Sequence, residues 1–268
     1  MTNTPRPTRF AGESWRTASA MHARVVGAVI MRDLQTRFGT GYFGFLLGLI
    51  MPLGHLTIAL SILTALGRAA PIGTSLTLFA MTGVLPFILW LYAHRQVLIT
   101  LQQNRSLLYF PGVDIFDLFA ARSIVEVASG TLITTILLFA LSITGFDTTI
   151  GNPTGFFYNL ITAWTLGIST GLIFGSLTTV SYPFAVMGNL MGPLFWVSSG
   201  IIYLPDNLPE KIRNILFYLP LCQIIDGTRS TFFSGYESGF YNENIPIILI
   251  SLFLALGMFI LKIMRRIT

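Results

Sequence analysis

The sequence predicts an all-α integral membrane protein. It reads as six transmembrane helices, an N-terminal amphipathic interface helix, and short re-entrant helices between spans five and six. Three observations predict this. Charged residues make up 10% of the 268-residue chain and hydrophobic residues 53%, against roughly 25% charged in a typical soluble domain. Uncharged windows near the ~20 residues needed to cross a hydrocarbon layer recur along the chain. The cations gather at the edges of those windows, where orientation in a bilayer needs them, and form no basic face of the kind that binds nucleic acid.

The elements follow in order. Residues 1–13 are rich in Thr, Pro and Arg and read as a disordered cytoplasmic tail. Residues 14–39 read as a surface helix: Val26, Ile30, Leu34 and Phe38 recur every four residues, with Arg24, Arg32, Gln35 and Thr36 roughly opposite. An oily stripe with a cationic back suits a helix lying in the membrane surface. Residues 40–268 then hold the six-span domain. Span one is Gly44–Leu66; span two has its apolar centre at Leu76–Tyr92; span three follows Glu126 and runs to Phe146. No charged residue occurs between Asp147 and Asp206, and Ser181-Tyr182-Pro183 divides that stretch into spans near 156–180 and 184–204. The last span is Ile245–Leu261. Within 205–235 Pro209 suits a first helical turn, Ile212, Ile215, Leu216 and Leu219 make an apolar face, and Pro220 stops it. A second short helix follows, with Asp226 and Arg229 one turn apart. Both pieces are too short to span and too apolar for a free loop, which predicts re-entrant helices that satisfy their backbone internally.

Orientation follows from the basic residues. With the N-terminus inside, the inner side collects Arg6, Arg9, Arg16, Arg24, Arg32, Arg37, Arg95, Arg105, Arg122, Lys262, Arg265 and Arg266, and the outer side only Arg68, Lys211, Arg213 and Arg229. Both termini are therefore expected in the cytoplasm. Six arginines precede the first apolar run, so the N-terminus does not read as a signal peptide.

Chemistry is sparse. The chain has no GxxxxGK[ST], no HExxH and no GxSxG, so it carries no P-loop for ATP phosphates and no recognisable hydrolase centre. The single cysteine, Cys222, excludes an intrachain disulfide. His22, His55 and His94 are far apart in sequence and suggest no metal site. Arg122 and Glu126 are spaced to pair on one helix face at the start of span three, and Asp114 and Asp117 fit an N-cap and first-turn acid of that helix. No acid falls near a span centre, as a proton-coupled carrier would require, and none are paired for glycosyl transfer.

Four stretches carry a family resemblance: MRDLQTRFG (31–39), GRAAPIGTSLTLFAMTGVLPF (67–87), NRSLLYFPGVDIFDLFAAR (104–122) and SGIIYLPDNLPEKIRNILFYLPLCQIIDGTRSTFFSGYES (199–238). In order and spacing they resemble the permease subunit of type-2 ABC exporters, in particular the bacterial capsular polysaccharide export permeases. The chain departs from that pattern at Gly44, where a tryptophan is common, and at Leu219-Pro220, where Asn-Pro is common. The resemblance implies a homodimer in the bacterial inner membrane with two separate ATP-binding subunits, which hold the ATP and Mg; this chain binds no cofactor. It implies a coupling helix at 104–113, with Arg105, Leu107, Leu108, Tyr109 and Phe110 meeting the ATPase and Pro111-Gly112 ending the turn. It implies a polysaccharide substrate, lipid-linked and capsular, that enters past Arg24, Arg32 and Arg37 and leaves through an outer gate including Tyr203, Ile212, Leu216 and Phe217. Periplasmic and outer-membrane export proteins are further expected partners. O-antigen, teichoic acid or a small drug are the alternative cargoes for the same fold.

Overall fold

The computed structural model describes residues 15–38, 42–65, 70–110 and 112–267, and among them every regular element is helical. They are α1 (Trp15–Phe38), α2 (Tyr42–Ala65), α3 (Leu76–Asn104), a 3-10 turn at Arg105–Tyr109, α4 (Ile115–Ile143), α5 (Pro153–Leu177), α6 (Pro183–Ser198), α7 (Glu210–Leu216), α8 (Pro220–Phe232) and α9 (Asn244–Ile267). The tail read at 1–13 and Pro111 lie outside the described residues.

The bundle is organised around α3. Every residue from Leu78 to Leu91 is buried, and a helix that is apolar on all sides belongs in the middle. α5 lies along it, α2, α4, α6 and α8 flank it, and α9 packs on the far side of α5. The α3–α5 contact is backbone to backbone. Gly167, Gly171 and Gly175 recur every four residues. A Cβ placed on them would sit 2.5 Å from the Trp90 carbonyl oxygen, 2.6 Å from that of His94 and 3.0 Å from that of Leu98. Only residues without side chains allow two helices this close. His94, fully buried, ties in a third helix: Nε2 donates to the Gly188 carbonyl of α6 at 3.0 Å, and Nδ1 lies 2.9 Å from the Thr170 hydroxyl of α5.

Local sequence explains the helix ends. Asp114 caps α4, its carboxylate accepting from the Phe116 N–H at 3.3 Å while Asp117 accepts from the Asp114 N–H at 2.8 Å, the reciprocal capping box. Gly112, at φ +100°, makes the left-handed step that ends the 3-10 turn and lets α4 restart. Asn152 caps α5 and is itself held by its backbone N–H to the Thr231 carbonyl at 2.7 Å, so the α4–α5 connection is stitched to the end of α8.

Four helices among the described residues are long and apolar enough to cross a membrane: α3 with its 3-10 extension, α4, α5 and α9. The helix that carries span three, α4, starts at Ile115 behind the expected Asp114 cap and buries Arg122 and Glu126 within it. One expectation is corrected. Span five does not run to residue 204; α6 has 16 residues and ends at Ser198, because Gly200 at φ +78° turns the chain.

Candidate functional site

Two polar assemblies occupy opposite ends of the bundle. The first lies where α3 ends and α4 begins. Asn104, buried, donates to the Thr100 carbonyl at 3.0 Å and accepts from the Arg32 guanidinium of α1. Arg122 of α4, 4% exposed, donates to Asp33 of α1 at 3.1 Å and to the side-chain oxygens of Gln96 and Gln103, each at 2.8 Å. His22 of α1 pairs with Asp117, whose other oxygen holds the α4 cap. Three contacts thus fasten α1 to the α3–α4 connection. A buried guanidinium needs this many acceptors, because its desolvation costs several kcal/mol.

The contacts re-orient α1 relative to the sequence reading. Val29 and Asp33 are buried, with Val25, Val26 and Ile30 half-buried beside them against α4 and neighbours. Arg32, read as part of the outward back, meets Asn104 instead. Arg24 is exposed and bonds its own helix at the Ala20 carbonyl. The Arg37 side chain lies outside the described residues.

The connection itself has two faces. Leu107 and Leu108 are half-buried in the same apolar cluster as Val29, Leu101, Ile115 and Phe119. Tyr109 and Phe110 stand outward, 81% and 62% exposed, beside exposed Arg105. The five residues expected at a docking loop therefore divide into two that hold the loop and three that present a surface.

The second assembly covers the other end. Arg229 on α8 is wholly buried, yet it is met mainly by backbone: Nη1 donates to the carbonyls of Gly200 (2.7 Å) and Tyr203 (3.0 Å), Nη2 to that of Ile201 (2.7 Å). Its guanidinium lies 4.1 Å over the Phe79 ring of α3. Burial brings its pKa down to about 10 against the opposing pull of Asp226. Asp226 accepts from the Tyr236 hydroxyl at 3.0 Å and from the Ser238 hydroxyl, and burial pushes its carboxyl up. Residues 199–204, read as the end of a span, are instead a turn whose oxygens embrace a cation. By position Arg229 counts among the outer cations; its signal in sequence is its spacing one turn from Asp226, between the apolar residues Ile224–Ile225 and Phe232–Phe233.

The residues expected at the outer gate separate. Leu216 is buried with Cys222 and Phe240, and Tyr203 and Phe217 pack on them. The Tyr203 hydroxyl donates to the Ser198 carbonyl at 2.9 Å. Ile212 and Ile215 face outward, 48% and 69% exposed, so the apolar face read across 212–219 is split by the chain's return into α8.

Among the described residues every regular element is helical and four helices are long and apolar enough to cross a membrane, which defines the class: a multi-pass membrane protein. Its relatives narrow this. The chain is 29% identical over 234 residues, 83% of its length and 85% of theirs, to the capsule polysaccharide export inner-membrane protein CtrC of Neisseria meningitidis serogroup B. It is 28% identical over 240 residues (87% and 84%) to the capsule polysaccharide export inner-membrane protein BexB of Haemophilus influenzae. It is 26% identical over 242 residues (87% and 92%) to the polysialic acid transport protein KpsM of Escherichia coli. No family model matches the chain. The similarity to capsule polysaccharide export inner-membrane proteins extends over most of the chain, as the sequence resemblance implied.

Proposed function

We propose that this chain is the transmembrane subunit of an ATP-driven exporter that moves a lipid-linked capsular polysaccharide across the bacterial inner membrane. The observation that carries the reading is the similarity, over more than four-fifths of the chain, to relatives named for capsule polysaccharide export. Two copies of the chain work with two separate ATPase subunits. Each copy crosses the bilayer six times, with α2 and α6 completing the count, and both termini lie inside. The α3–α4 connection then faces the cytoplasm and α7 and α8 form a re-entrant outer cap.

In this reading Tyr109 and Phe110 insert into an apolar recess of the ATPase, and Arg105 meets an acid on it. Leu107 and Leu108 anchor the loop from behind. Motion of the ATPase reaches α1 through Arg32–Asn104 and Asp33–Arg122, and reaches the outer cap along α3. Arg24 lines the substrate entrance at the inner surface; Arg32 belongs to the transmission contacts.

The test is Tyr109→Asp with Phe110→Asp. Both side chains are exposed, so the fold is spared. The variant is expected to insert at wild-type level, to lose its ATPase on co-purification, and to leave polysaccharide inside the cell. Export at wild-type level would refute the docking assignment.

A further inference from the structure

A cleft of about 540 Å³ opens on the cap beside α7, lined by Asp206, Arg213, Asn214, Phe217, Tyr218 and Phe240. Its volume is within the roughly 300–1,000 Å³ typical of small-molecule sites. We propose that this cleft is a saccharide subsite, in which pyranose rings stack on Tyr218 and Phe217 while Arg213, Asn214 and Asp206 bind their hydroxyls. The proposal deepens the export reading and rests on it, since that reading puts the cap on the side where a glycan emerges.

The aromatic rings are held ready. Phe217 stands edge-to-face against Tyr218 (5.6 Å, 87°) and against Phe240 (5.7 Å, 90°). Phe240 is buried and fixes the floor, whereas Tyr218 is 71% exposed. The apolar C–H face of a pyranose covers such a ring without desolvating the sugar hydroxyls, and a Tyr offers this area with few rotatable bonds to freeze. The polar groups suit the same ligand. Guanidinium, carboxylate and carboxamide are all planar and two-pronged, which matches neighbouring hydroxyls on a ring. Asp206 is already fixed by the Gly239 N–H at 3.2 Å, so one of its oxygens is positioned for a ligand. One acid and one base face the cleft, which makes it no trap for a polyanion; stacking, not charge, sets its affinity.

The experiment uses the full chain in lipid nanodiscs and saturation-transfer NMR. The probes are a neutral glucose tetrasaccharide and an acidic sialic acid tetrasaccharide. Saturation transfer to ring C–H protons is expected from at least one of them, changing less than about twofold as salt rises roughly tenfold and shortens the screening length. Tyr218→Ala is expected to weaken binding about tenfold, the equivalent of 1.4 kcal/mol, while Tyr218→Phe keeps it. Equal binding by Tyr218→Ala, or no transfer from either probe to the wild-type chain, overturns the proposal. So does loss of a periplasmic export protein from the Tyr218→Ala complex with no saccharide signal, which gives the cleft to a protein partner. Restoration of surface polysaccharide by the wild-type chain in a strain deleted for its gene tests the export reading separately.

Discussion

Replacing Arg229 by Met tests how the cap is held. The wild-type guanidinium gives three hydrogen bonds, at 2.7, 2.7 and 3.0 Å, to backbone carbonyls of the 200–203 turn. Bonds from a charged donor contribute about 1.5–3 kcal/mol each, so the gross interaction of three is about 4.5–9 kcal/mol. Burying the cation offsets several kcal/mol of that. Met fills a similar volume but donates nothing, and leaves three buried acceptors short of a partner. The expected net loss is about 3–5 kcal/mol, from three unsatisfied buried carbonyls at about 1–3 kcal/mol each less the relieved desolvation of the cation. Because the bonds join α8 to one turn, the loss appears as local opening. Amide exchange across 200–204, followed by mass spectrometry in nanodiscs, is expected to speed up by roughly one hundred to a few thousand fold. Arg229→Lys, whose single ammonium cannot serve all three oxygens, falls between. Exchange within about twofold of wild type in Arg229→Met, or full protection in Arg229→Lys, would refute the reasoning.

Other consequences can be measured on the same preparation. Gly171→Ala places a methyl 2.6 Å from the His94 carbonyl and is expected to destabilise the bundle by about 1–3 kcal/mol, seen as a lower melting temperature in detergent; Gly171→Leu should not yield folded protein. Asp33→Asn removes the carboxylate 3.1 Å from Arg122 and costs about 3 kcal/mol, whereas adding Arg122→Met to it recovers part of that loss, a non-additivity read by a double-mutant cycle. Burial raises the Asp226 carboxyl above its ordinary value, so the folded state resists its ionisation. Stability therefore rises as pH falls through the raised value and levels off below the ordinary carboxylate range. Asp226→Asn should flatten the acid-side slope of melting temperature against pH.

Much of the architecture was readable before any coordinates. Charge-free windows found α3, α4, α5 and α9 because a bilayer selects on length and polarity alone. Asp114 and Asp117 were readable as caps because capping is a local bargain between residues three apart. The boundaries failed where tertiary contacts override composition. Arg122 and Glu126 look like exposed charges at the edge of a span because they are ionisable, yet partners on α1 and α3 let Arg122 be buried in the bundle. Residues 199–204 look like the end of a span because they are apolar, yet Gly200 and Arg229 make them a turn. Two signals were available and unread. Gly167, Gly171 and Gly175 repeat at the spacing of close-packed membrane helices, and Asp33 is the only acid between Glu13 and Asp114. The cleft beside α7 could not be read at all, since it joins Asp206, Arg213 and Phe240 across a loop whose path is set by Asp226 and its hydroxyl partners.

The glycine seam between α3 and α5 limits how the bundle can deform. With main chains in direct contact, neither helix can rotate or slip by a turn without driving a side chain into a neighbouring carbonyl. The pair forms a stiff spine. α6 is tied to it by the His94 bond at Gly188, ends at the turn at Gly200, and leaves Val186, Leu190 and Leu194 exposed. In the export reading proposed above, movement falls to such peripheral helices while the spine keeps its shape.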